Sequence, residues 1–80
     1  MRISVVCFGG LRERVPGTEH GPVDLDIAEG ISVGDLVDKL SIPRSLASMV
    51  LIDGDQARFE DPVLEGVEVT LMPPFAGGAS

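Results

Sequence analysis

The chain has 80 residues, which is enough for one domain. Thirteen acidic residues against six basic ones give a net charge of −7. This balance argues against binding to nucleic acid or to anionic membranes, because both need clustered Lys and Arg. An acidic surface suits docking to basic protein partners, although solubility alone would also explain it.

The chain offers few groups for chemistry of its own. With one cysteine, Cys7, and one histidine, His20, it can form neither an intramolecular disulfide nor a structural zinc site. Cys7 lies in an apolar run and is predicted to be a buried thiol, and His20 is predicted to be a solvated loop residue. No phosphate-binding or dinucleotide motif is present. We therefore expect a protein without its own catalytic residues, metal or bound cofactor. We also expect it to be cytoplasmic, with no membrane span.

The first elements predict a hairpin with a long loop. Residues 3–8 form an apolar, β-branched run that stops at Gly9-Gly10. Residues 11–21 are polar and form the predicted loop. A second strand with one buried face is indicated by the alternating apolar residues Val23, Leu25 and Ile27.

A short amphipathic helix follows. Ser32 is a suitable N-cap, with Asp35 three residues later, close to a capping box. Gly34 is expected to cost this helix on the order of 1 kcal/mol relative to Ala. Pro43 is predicted to end it. One apolar stripe is formed by residues at i, i+3, i+4 and i+7, namely Val33, Leu36, Val37 and Leu40.

The remaining residues predict three more strands. Residues 49–52 form a β-type run, and the following Asp53-Gly54 is a strong hairpin-turn signal. A short strand is expected around residues 56–59. In the last strand, the residues predicted to face the helix are Val67, Val69 and Leu71, and those predicted to face away are Thr70 and Met72.

This order of elements predicts an α+β fold, a mixed sheet with one main helix packed on one face. If the first and last strands are central and parallel, the arrangement is a β-grasp. The alternative is another small α+β roll with the same elements. Residues 1–72 would form the domain and residues 73–80 a flexible C-terminal tail, because Pro73-Pro74 removes two backbone donors and ends the sheet.

The tail is the most unusual part of the chain. Paired prolines favour an extended exit, and Gly77-Gly78 offers a thin backbone that fits a narrow cleft. Residues 73–78 span at most about 20 Å when extended. Phe8 and Met72 should lie near the tail exit and form an exposed apolar patch with Phe75, which would mark a partner site. A core position for Phe8 is the alternative.

Three stretches of the sequence resemble the MoaD/ThiS-type sulfur carriers, which are bacterial ubiquitin-like proteins. Residues 8–13 (FGGLRE) are similar to the family's F-G-x-L-R-E, and residues 64–69 (LEGVEV) to its turn into the last strand. Residues 73–78 (PPFAGG) are similar to its P-P-x-A-G-G ending, in the form found in the small subunit of molybdopterin synthase. The resemblance covers nearly the whole chain and implies a ubiquitin-like β-grasp.

The resemblance also implies a mechanism. A ubiquitin-activating-like enzyme would use ATP to adenylate the carboxyl group of Gly78, and a sulfur donor would convert the adenylate to a thiocarboxylate. The sulfur would then pass to an acceptor, such as a molybdopterin precursor held by a larger synthase subunit. Residues 73–77, Pro73, Pro74, Phe75, Ala76 and Gly77, would thread into the partner. Arg12 matches the family motif and is assigned to partner binding on that ground.

This sequence departs from the family pattern because Ala79 and Ser80 follow Gly78. A protease that removes Ala79-Ser80 would restore the carrier, and residues left by cloning would be a second explanation. The third is a non-covalent binding module that never uses its tail. A ubiquitin-like modifier conjugated through Gly78 is a further alternative, and it needs the same freed end.

Overall fold

The computed structural model describes residues 1–74, so the predictions for Phe75, Ala76, Gly77, Gly78 and the two following residues lie outside the described residues. Within that range there is one α-helix, α1 (Val33–Lys39), which is too short to cross a membrane. Three 3₁₀ helices span Gly9–Glu13, Thr18–His20 and Arg44–Leu46. The strands are β1 (Arg2–Cys7), β2 (Val23–Asp26), β3 (Met49–Ile52), β4 (Asp55–Ala57) and β5 (Glu68–Met72).

The five strands form one mixed sheet in the order β2-β1-β5-β3-β4. The central pair, β1 and β5, is parallel, and the other three pairs are antiparallel. This arrangement confirms the predicted β-grasp. The β3-β4 hairpin turns at Asp53 and Gly54, whose φ values of 51° and 90° are those that a tight two-residue hairpin turn needs.

The core lies between α1 and one face of the sheet. Alternate residues of the two central strands point into it, and so does the apolar stripe of α1. The predicted facing of β5 is confirmed, since Val69 and Leu71 are fully buried while Thr70 and Met72 are half-buried. The buried residues of β1 are Ile3, Val5 and Cys7, and those of α1 are Val33, Gly34, Leu36 and Val37.

The prediction that Pro43 ends the helix is wrong, because α1 ends at Lys39. The residue that reverses the chain is Ser41, which takes a left-handed conformation with φ of 61°. The Ile42 amide then donates to the carbonyl of Val37 at 3.1 Å, which is a capping bond typical of helix C-termini. This closing turn also buries the Ile42 side chain in the core.

The polar loop after β1 contributes more to the core than its composition indicated. Leu11 and Val15 are each only 2% exposed. The Thr18 hydroxyl is also buried and lies 2.7 Å from the Val15 carbonyl oxygen and 3.1 Å from that of Arg12. The loop is thus folded against the domain as 3₁₀ turns.

Gly34 has a tertiary role that helix propensity does not reveal. A Cβ at this position would lie 2.7 to 3.0 Å from the guanidinium atoms of Arg44. That guanidinium binds both carboxylate oxygens of Asp38, at 3.1 and 2.9 Å, and sits 5.3 Å from the centre of the Phe59 ring. The missing side chain of Gly34 therefore leaves the space in which Arg44 links α1 to Phe59.

Replacing Gly34 should test this packing. On propensity alone Gly34→Ala would stabilise the domain by about 1 kcal/mol. We expect that gain only in an Arg44→Ala background. When Arg44 is present, the new methyl group at position 34 would displace the Arg44 guanidinium. Urea denaturation of the four members of this double-mutant cycle gives the coupling. An equal gain in both backgrounds would show that Arg44 does not need the space.

Candidate functional site

The end of the sheet where β1 and β5 both finish is the first candidate site. Because the two strands are parallel, their carboxyl ends lie at the same edge. The Phe8 amide extends the pairing by donating to the carbonyl of Leu71 at 3.0 Å. As a result Phe8, Gly9, Met72 and Pro73 line one shallow apolar recess at the point where the chain leaves the sheet.

An apolar patch covers the adjoining half of the sheet face that α1 leaves open. Phe8 is 41% exposed and Met49 is 38% exposed, so the alternative of a core position for Phe8 is wrong. The strand register places Val6 beside Thr70, Thr70 beside Leu51, and Met72 beside Met49. We call this surface the open-face patch, formed by Val6, Phe8, Met49, Leu51 and Met72 around Thr70.

The other half of the open face is polar and acidic. Ser4 lies between Asp24 and Glu68 in the register. Arg2 donates two hydrogen bonds to the Asp26 carboxylate, at 3.0 and 3.2 Å, and these bonds together with its charge lower the pKa of Asp26. A partner on this face would meet apolar surface near the chain exit and negative charge farther from it.

Gly9 and Pro73 meet where the chain leaves the sheet. Gly9 has a left-handed φ of 57°, and a Cβ there would lie 3.0 Å from Cγ of Pro73. Gly10 differs, because a Cβ there would have no atom within 4 Å. Pro73 is half-buried and Pro74 is exposed.

Arg12 does not line the recess that contains Phe8 and Met72. Its exposed side chain is held near the end of β1, where Nε donates to the carbonyl of Cys7 at 3.4 Å. Arg12 instead lines a separate shallow recess with Glu13, Pro16 and Glu19. Its assignment to partner binding stays a prediction, as do those of Phe8 and Met72.

The reactive side-chain types are placed as the sequence predicted. Cys7 is buried at 2% exposure, and burial raises the pKa of its thiol. His20 is exposed, with Nε2 3.7 Å from a carboxylate oxygen of Glu19. Among residues 1–74 no three His, Cys, Asp or Glu side chains are grouped as metal ligands would be.

Sequence reasoning missed two parts of this site. Met49 and Leu51 were read as strand residues, but their place in the open-face patch depends on how β3 pairs with β5, which is a contact between distant segments. Residues 49–52 are all apolar, so the sequence showed no alternation that would have separated the exposed face of β3 from the buried one. The Gly9 contact with Pro73 carried no sequence signal beyond the glycine itself.

The fold and the chain exit define a small ubiquitin-like β-grasp domain whose C-terminal segment leaves beside an exposed apolar patch. Residues 5–78 match the model of the ThiS family, so the chain belongs to the ThiS family. A search of curated proteins gave no significant match.

Solved structures with similar folds include two of a Haloferax volcanii protein. The structure of SAMP1 has a TM-score of 0.70 and 25% identity, covering 98% of this chain and 100% of that one. A second, of H. volcanii small archaeal modifier protein 1, has a TM-score of 0.68 and 26% identity, covering 91% and 97%.

A third similar structure, from Pyrococcus furiosus, is assigned as molybdopterin converting factor, subunit 1. It has a TM-score of 0.71 and 17% identity, covering 92% of this chain and 98% of that chain. At this identity the likeness shows the fold alone. The three structures together confirm the ubiquitin-like β-grasp.

The burial of Cys7 predicts that its thiol reacts slowly with alkylating reagents. Because the thiolate is the reactive form, both low exposure and a raised pKa should slow alkylation of the folded protein near neutral pH. We expect iodoacetamide to modify Cys7 at least about 100-fold more slowly in the native protein than in urea. Peptide mass spectrometry over time measures both rates. Similar rates in the two states would contradict the buried placement.

Proposed function

We propose that this protein is a sulfur carrier whose reacting atom is the carboxyl carbon of Gly78, freed by removal of Ala79-Ser80. The observation that carries the proposal is the parallel β1-β5 pair, which brings the chain exit and the open-face patch to the same edge of the sheet. Membership of the ThiS family supports it, since small carriers of the ThiS/MoaD type are generally non-catalytic.

The proposed chemistry takes place on partner proteins. A carboxylate is a poor electrophile, so a Gly78 oxygen first attacks the α-phosphorus of ATP and expels pyrophosphate on a ubiquitin-activating-like enzyme. A sulfur donor then supplies a sulfide equivalent to the carbonyl carbon, AMP leaves, and a thiocarboxylate results. ATP is bound by the activating enzyme, and the carrier needs no cofactor of its own. The carrier would act in the cytoplasm, where the partners that use ATP are found.

The open-face patch is the proposed docking surface for these partners. Phe8 and Met49 are large apolar side chains left exposed, and both residue types are enriched in the cores of protein interfaces. The acidic half of the same face suits a partner with a basic rim, which would speed encounter. The tail can serve one partner at a time, so the activating enzyme and a larger synthase subunit would use the patch in turn.

The proposed acceptor belongs to molybdopterin-type cofactor biosynthesis. The PPFAGG ending is the ground for it, together with family membership. In that role the chain would be the small subunit of a molybdopterin synthase-like complex. No role with nucleic acid or membranes is proposed for so acidic a chain.

A ubiquitin-like modifier is the second candidate function. The similarity to the small archaeal modifier protein of H. volcanii favours it specifically. The same adenylated Gly78 would then acylate a lysine of another protein instead of accepting sulfur. Copies of this chain offer only one lysine, the exposed Lys39, for such a bond. A non-covalent binding module would use the open-face patch and leave the tail unprocessed.

The mass of the protein's C-terminal peptide tests the proposal directly. We expect protein from its native cells to end at Gly78, with sulfur in place of one carboxylate oxygen. Methionine oxidation gives nearly the same mass shift, so alkylation with iodoacetamide must place the sulfur on the terminal peptide. The buried Cys7 should compete poorly for the reagent under native conditions.

The outcomes separate the candidate functions. A chain that keeps Ala79-Ser80 even under high sulfur demand would contradict both the carrier and the modifier. Recovery of Gly78 in isopeptide bonds without any thiocarboxylate would favour the modifier. A Gly78→Val variant should abolish both covalent functions and leave non-covalent binding intact.

Charge placed in the open-face patch should weaken docking. We expect Phe8→Asp and Met49→Asp each to reduce affinity for the activating enzyme roughly 30-fold or more, because an unpaired carboxylate would be buried in the interface. Calorimetric titration measures the affinity, and circular dichroism checks the fold.

Leu64→Asp is the matched control for these variants. Leu64 is 63% exposed and lies beside Met1, at the other end of β1 from Phe8. Its replacement should leave affinity unchanged. An equal loss in all three variants would point to general charge repulsion and would contradict docking at the patch.

A further inference from the structure

The adjacent glycines Gly9 and Gly10, which follow β1, differ in backbone conformation and in the space that a side chain would meet. Gly9 has a φ of 57°, and a Cβ there would come within 3.0 Å of Cγ and 3.7 Å of Cδ of Pro73. Gly10 has no positive φ, and a Cβ there would meet nothing within 4 Å. The bare backbone of Gly9 is thus the surface on which the Pro73 ring rests.

The position of Pro73 gives this contact its importance. Pro73 directly follows β5, and its φ is fixed near −65° by its ring. On the other side it borders a second shallow recess with Gly10, Leu11, Arg14 and Leu46. Small movements of the ring therefore change the direction in which the backbone leaves the sheet at Pro73 and Pro74.

We propose that Gly9 is a positioning residue that seats the Pro73 ring and so sets the direction of the C-terminal segment relative to the open-face patch. The inference rests on the proposed sulfur-carrier function for its kinetic consequence. Once the patch has docked, Gly78 must arrive at a reaction centre on the partner at a defined distance. A displacement of about 1 Å in a reacting group can cost on the order of 100-fold in rate.

If Gly9 positions the Pro73 ring, replacing Gly9 should slow adenylation without weakening the docking of the carrier to the activating enzyme. Gly9→Ala adds a Cβ 3.0 Å from Cγ of Pro73, so the ring must shift by a few tenths of an ångström, while no side chain of the open-face patch is replaced. Using chains that end at Gly78, we expect kcat for adenylation to fall on the order of 10- to 100-fold, with KM for the carrier nearly unchanged. Gly10→Ala, the neighbouring control, should change neither.

Two further variants separate the contact from backbone strain. Asparagine tolerates a positive φ better than alanine but carries the same Cβ. Gly9→Asn should therefore resemble Gly9→Ala if the contact matters, and resemble the wild type if strain alone does. Pro73→Ala removes the ring atoms that the new Cβ would meet, so Gly9→Ala should have little added effect on kcat in that background.

The direction of the segment can be measured without any partner. We expect residual dipolar couplings of the Cα–Hα bonds of Pro73 and Pro74 in the full chain to change in Gly9→Ala and Gly9→Asn, and to stay the same in Gly10→Ala. Unchanged couplings would show that the contact between Gly9 and Pro73 does not set the direction of the chain, whatever the function of the protein. Changed couplings with wild-type kcat, or a raised KM with unchanged kcat, would overturn the positioning role of Gly9.

The same measurements keep the two proposals apart. If the wild-type chain is not adenylated at all, the proposed sulfur-carrier function is wrong. Changed couplings in the Gly9 variants would still support the positioning of the Pro73 ring by Gly9. If the wild type is adenylated and the Gly9 variants match its kcat, the positioning role of Gly9 fails and the carrier function stands.

Discussion

The parallel pairing of β1 with β5 is the contact on which the rest of the structure depends. It joins the two ends of the described chain, with Val5 opposite Val69 and Cys7 opposite Leu71 at the centre of the core. Parallel strands need a crossover connection, and here the intervening residues supply the helix and the other three strands. The same pairing brings Phe8 and Gly9 to Met72 and Pro73. Fold and site therefore share one interaction.

Most of the architecture could be predicted because helix caps and strand alternation depend on residues that are close together in the sequence. Ser32 caps α1, and its Oγ accepts from the Asp35 amide at 3.1 Å. The alternation in residues 67–72 identified the face of β5 that packs on α1. Tertiary contacts accounted for the failures. Pro43 was predicted to end the helix, but α1 ends at Lys39, where the capping turn at Ser41 and the burial of Ile42 reverse the chain.

The candidate site was predictable only in part for the same reason. The chain exit and the exposure of Met72 follow from strand alternation and the paired prolines. The contributions of Met49 and Leu51 depend on the register between β3 and β5, and the Gly9 contact depends on the β1-β5 pairing. The same holds for Gly34. Helix propensity predicts only that it destabilises α1, whereas in the structure the Arg44 guanidinium occupies the space that a side chain would fill. A glycine's purpose is set by its neighbours in space, which a single sequence does not display.

The composition of the chain also suits the proposed chemistry. An acyl adenylate is attacked readily by free amines and thiolates, so a carrier's own nucleophiles would intercept it. Among residues 1–74 the one thiol, Cys7, is buried with a raised pKa. Five of the six basic residues are Arg, whose guanidinium stays protonated and is a poor nucleophile. Arg14, which lines a recess with Pro73, is of this kind. The charged group beside Pro73 is therefore a guanidinium and not an amine that could consume the activated end.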